Sequence, residues 1–86
     1  MPRFMDQHAM GSVKPEILKK LLKQPRDDLG VLTQEILYSK EENKVFCITD
    51  APNKGAVEKH HQMAGIKPDW ILAVKSSKTY MIFMLS

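Results

Sequence analysis

Two helices, each with its own start and stop signals, cut this chain into strand, helix, strand, strand, helix, strand. No other feature restricts its folding as much. The first helix is KPEILKKLLKQP, residues 14–25. Pro15 suits a first turn, where its missing N–H costs nothing, and Ser12 is a capping side chain just upstream. Ile17, Leu18, Leu21 and Leu22 share one apolar face, Lys19, Lys20 and Lys23 form the solvated one, and Pro25 ends the run. The second helix is KGAVEKHHQMA, residues 54–64, with Asn53 as cap and Gly65 in the usual terminating position.

The segments between them read as strands. RFMDQH (residues 3–8) is the first. VLTQEILYSK (31–40) and KVFCIT (44–49) flank the polar turn KEEN (40–43) as a hairpin. Pro52 cannot continue a central strand, so DAPN (50–53) breaks the second arm. WILAVK (70–75) closes the set. This order predicts an α+β, ferredoxin-like βαββαβ fold: a four-stranded antiparallel sheet with two helices on one face. Residues 1–75 make that domain. SSKTYMIFMLS (76–86) lies beyond the plan and is apolar and β-prone, suited to an extra strand or a partner-covering arm.

Eighty-six residues bury a thin core. The bare face of the sheet therefore predicts a homodimer. Charge argues against nucleic acid: the net +3 comes from scattered lysines with no basic run interleaved with aromatics. MPRFMDQHAMG has no apolar core of a signal peptide, and YMIFML is far shorter than the ~20 residues of a membrane span. One cysteine forms no internal disulfide and suits a reducing compartment, so the expected location is cytoplasmic.

The chemistry concentrates in KVFCITDAPNKGAVEKHHQMAG, residues 44–65, which holds the cysteine and two adjacent histidines. Alternation puts Phe46 and Ile48 on one side of their strand and Cys47 on the other. The larger apolar pair is the better filling beneath helices, so Cys47 is expected on the open side. Phe4, Asp6 and His8 share a face of the first strand, next to the third in this fold, and Asp6 or His8 can lie beside Cys47. With Ala56 at zero and about 100° per residue, His60 falls near 40° and His61 near 140°. The apolar centre is also near 40°, so His60 is expected in the core and His61 at its border. Each residue has a structural reading too: a strand cysteine as a small hydrophobe, a helix histidine as a hydrogen-bonded core residue. Asp6 differs, because a carboxylate in a central strand needs a partner.

PRFMDQH, VFCITDAPN and the Ala-Val…His…Ala-Gly helix resemble a family of small bacterial and archaeal domains of unknown function that includes nickel-binding proteins. The resemblance spans roughly residues 2–74. It implies the ferredoxin-like fold and metal binding, with no reaction specified. Carried over, Asp6 and His8 match the opening motif and Cys47 matches its cysteine. Asp50 stands where glutamate is usual, and either His60 or His61 is the helix histidine. Imidazole and thiolate suit nickel or another late transition metal, and a carboxylate can complete the set.

The reading is therefore a small protein that binds or buffers nickel or a similar ion, with Asp6, His8, Cys47, Asp50, His60 and His61 as candidate ligands. His8 with Cys47 is the expected pair, joined by His61 rather than His60. The alternative is a small-molecule enzyme or ligand-sensing module with a pocket at the dimer interface. No nucleophile–base–orienter set and no phosphate loop is visible.

Overall fold

The computed structural model describes residues 1–75. The elements are β1 (Arg3–Ala9), α1 (Pro15–Lys23), β2 (Leu32–Ser39), β3 (Lys44–Asp50), α2 (Lys54–Ala64) and β4 (Trp70–Val74). The strands form one antiparallel sheet in the order β2-β3-β1-β4. Both helices cover one face, which is the ferredoxin-like arrangement. The segment 76–86, expected as an extra strand or arm, lies outside the described residues.

Local chemistry explains most boundaries. α2 starts where the Asn53 side chain accepts the Ala56 N–H at 2.8 Å. It ends where Gly65 turns to φ 74°, letting the N–H groups of Gly65 and Ile66 reach back to the carbonyls of Gln62 and His61. α1 stops at Lys23, and Gln24, the residue before Pro25, is extended with ψ 140°. Ser12 is not its cap. The N-cap is Lys14, with no side-chain hydrogen bond, and the Ser12 hydroxyl instead donates to the Ala9 carbonyl at 2.5 Å.

The face of β3 differs from the expectation. Val45, Cys47 and Thr49 are buried beneath the helices, while Phe46 and Ile48 lie on the open face and stay half-buried. Phe4, Asp6 and His8 share the covered face, because the β1–β3 register sets Asp6 opposite Cys47 and Phe4 opposite Thr49. The register gives the reason: Cys47 pairs opposite Asp6 and Thr49 opposite Phe4, so the side that β1 turns to the helices with Phe4 and Asp6 is also the side of Cys47 and Thr49.

The apolar core has two parts. Phe4, Val31, Ala51, Val57 and Ile71 pack at one end of the covered face, and Val13, Leu21 and Ile66 at the other. On the open face Phe46 and Trp70 approach with ring centroids 6.3 Å apart, and Leu37 and Leu72 are exposed.

Candidate metal centre

β1 and β3 supply the heart of the site because they are hydrogen-bonded neighbours in mid-sheet. Asp6 on β1 stands directly opposite Cys47 on β3, and His8 is two residues further along β1 on the same face. Asp6, His8 and Cys47 are 1%, 1% and 3% exposed, and one donor atom from each lies within 4.8 Å of the others. The Cys47 Sγ is 3.7 Å from His8 Nε2. The other ring nitrogen of His8, Nδ1, is 3.2 Å from Ser12 Oγ, so the hydroxyl that failed to cap α1 orients this imidazole.

α2 adds a fourth group. His61 is buried, its Nε2 2.7 Å from Asp6 Oδ2 and its Nδ1 2.8 Å from the Val57 carbonyl, to which it donates. The Nε2 contact pairs charge without the alignment of a hydrogen bond, and both Asp6 carboxylate oxygens remain buried with no donor. Burial works against charge on His61, but the Asp6 carboxylate beside it outweighs burial and raises its pKa. Burial, and then the nearby Asp6 carboxylate, push the Cys47 thiol up to about 12.

The helix histidines therefore exchange the expected positions. His61 is the core-facing one. His60 is half-buried and pairs with Asp27, Nδ1 to Oδ2 at 2.7 Å. Asp27 also accepts the N–H groups of Leu29 and Val31, which fastens the loop before β2. The spacing that identifies His61 is Val57–His61–Ala64, a run of i, i+4, i+7. Counting Met63, which is 76% exposed, toward the apolar face hid it. The expected separation of Cys47 from the helix histidines across the sheet is also overturned, since Cys47 faces α2. Asp50 stands apart on the open side, paired with Arg3 at 2.9 Å and with Gln34 at 2.7 Å. Ser12, beside His8, and Asp27, beside His60, shape the surroundings of the two imidazoles without belonging to the donor pattern in the sequence. The aspartate ahead of Gly30 is the mark of a turn closed by its own side chain.

The donors fit a transition-metal ion. Two bonds of about 2.0–2.3 Å meeting at a tetrahedral angle set their donor atoms ~3.3–3.8 Å apart; the 3.7 Å between Cys47 Sγ and His8 Nε2 fits, and the Asp6 oxygen has to close in from within 4.8 Å. Imidazole, thiolate and carboxylate together suit nickel, cobalt, copper or zinc. The buried Asp6 carboxylate is charge-paired with His61 at 2.7 Å, and neither of its oxygens has an aligned hydrogen-bond donor, which leaves lone pairs for a cation. The structure thus brings together Asp6, His8, Cys47 and His61, and leaves out Asp50 and His60.

No curated protein matches this chain significantly. A solved structure, the crystal structure of SCO4226 from Streptomyces coelicolor A3(2), is similar with a TM-score of 0.70 and 25% identity over 88% of this chain and 99% of that one. The family described as "Nickel responsive protein SCO4226-like" matches residues 4–74, most of the chain and every donor named above. This chain belongs to the SCO4226-like family of nickel responsive proteins.

Proposed function

We propose that this protein binds nickel or a similar late transition-metal ion with Asp6, His8 and Cys47, and that His61 joins or orients the set. The observation that carries the reading is the buried cluster of the Asp6 carboxylate, His8 imidazole and Cys47 thiol, with one donor atom from each within 4.8 Å of the others. The description of the family as nickel responsive agrees in kind. The bound ion supplies charge that balances Asp6 and holds Cys47 as thiolate.

The chain's own residues do the rest. Ser12 holds the His8 ring by its Nδ1, so Nε2 is turned toward Cys47. The Val57 carbonyl holds His61 by its Nδ1, so Nε2 is turned toward Asp6. Pre-set ring orientations of this kind strengthen metal affinity, because little ordering is left to be done on binding. The role is binding or buffering in a reducing cytoplasm, where Cys47 stays reduced. No helix among the described residues is long and apolar enough to cross a membrane. The apolar open face, with Phe46, Trp70 and Leu72, supports a homodimer formed through it.

Elemental analysis of protein purified without a metal-affinity step tests the reading, followed by titration of the metal-free chain with nickel at neutral pH. One equivalent per chain, with a thiolate-to-metal absorption lost in Cys47→Ser, is the expected result. A chain that takes up no transition metal defeats it.

A further inference from the structure

The donors lie under cover, and one feature of the surface leads to them. A cleft of about 500 Å³ opens between the C-terminal half of α2 and the loop into β4, lined in part by Glu58, His61, Gln62, Lys67 and Ile71. Two of its lining residues are neighbours of Asp6. His61 has its Nε2 2.7 Å from the Asp6 carboxylate, and Ile71 is the residue paired opposite Asp6 in the β1–β4 register. The Asp6 carboxylate thus sits one side chain, that of His61, behind an open cleft. At the rim, Glu58 stands one helical turn before His61 on the same side of α2, exposed. Lys67, also exposed, lines the cleft from the loop.

We propose that the divalent cation reaches Asp6, His8 and Cys47 through this cleft, with Glu58 as the carboxylate that first captures it and His61 as the side chain it passes. The inference rests on the metal-binding reading above. A hydrated dication would exchange its water for ligands in turn, so an exposed carboxylate at the mouth and the buried Asp6, His8 and Cys47 at the end would supply successive donors. Glu58 would draw the cation in and Lys67 would oppose it.

The two rim charges make the route testable by opposite signs. Nickel association is followed by stopped flow on the full chain, and dissociation by chase with a chelator. Glu58→Gln should slow association about three- to tenfold, and Lys67→Gln should speed it about two- to threefold, since local charge acts mainly on the on-rate. Both effects should shrink as ionic strength rises. Gln62→Trp, which fills the cleft, should slow association and dissociation together and leave Kd within about threefold, because it obstructs a path without changing its end points. All three side chains are exposed, so the variants keep the core intact. If wild type binds nickel and all three variants match its association rate, the route is overturned while the binding site stands. If Glu58→Gln changes only the dissociation rate, Glu58 is a ligand of the final site and the capture role is overturned. If wild type takes up no metal, the functional reading fails and this inference with it.

Discussion

His61 Nε2 lies 2.7 Å from Asp6 Oδ2, with both side chains buried, so α2 and β1 are joined through an acid–base pair inside the core. The pair has two consequences that separate on mutation. His61→Ala leaves the Asp6 charge buried and uncompensated, which should cost about 3 kcal/mol in the metal-free chain. Asp6→Asn removes that charge and should cost far less. Both variants should lose at least about tenfold in nickel affinity. Thermal unfolding and nickel titration of the two variants check this. Equal affinity in Asp6→Asn and wild type would remove Asp6 from the site.

His60→Ala should behave differently. It frees Asp27 Oδ2 but leaves the donor cluster untouched, so nickel affinity should stay within about twofold while stability falls by about 1 kcal/mol. Asp27→Ala should cost more, about 1–3 kcal/mol, because the N–H groups of Leu29 and Val31 lose their acceptor as well. Calorimetry on these two variants, with nickel titration of the first, distinguishes the helix histidines.

Asp27 also predicts an acid limb. Burial raises its pKa, but the hydrogen bonds from Val31, His60 and Leu29 outweigh burial and leave it below 3.8. A carboxylate depressed in the folded state stabilises above its unfolded pKa and loses that contribution as pH falls through the folded one. Stability contributed by Asp27 should therefore be complete above about pH 5 and decline below 3.8. Unfolding measured at descending pH should show a shallower decline in Asp27→Asn, which cannot titrate.

Cys47 predicts the opposite limb in the metal-free chain. Its folded pKa of about 12 lies above the ordinary 9.0, so folding favours the neutral thiol. That contribution is intact below 9.0 and is lost as pH rises toward about 12. A thiol reagent at pH 8 should scarcely react with Cys47 in the native chain and should react fully in denaturant. Rapid native labelling would show that the thiol is neither buried nor suppressed.

The open face predicts self-association. Leu72 is 52% exposed beside Phe46 and Trp70 on the uncovered side of the sheet. Leu72→Lys should shift a dimer to monomer in light scattering and leave nickel affinity unchanged, since the donors lie on the other face. A wild-type monomer at micromolar concentration rules the dimer out.

The amino-acid sequence determined the elements and their order, because the devices that set them are local. Asn53 and Gly65 bound α2, Pro25 bounds α1, and alternation marks the strands; each acts within a few residues. Local alternation also determined that Phe4, Asp6 and His8 share one face and that Cys47 and Phe46 take opposite ones. Only the tertiary structure decided which of those faces meets the helices. A period of two carries no information on which side is covered, and size within β3 misled, since pairing with β1 puts Cys47 and Thr49 on the covered face with Asp6 and Phe4 and leaves Phe46 and Ile48 on the other. The same holds for His60 and His61. Their neighbours along α2 assign them to adjacent sides, but the side that packs is set by how the helix lies on β1 and β4. That decision placed His61 against Asp6, sent His60 to Asp27 and left Asp50 outside with Arg3.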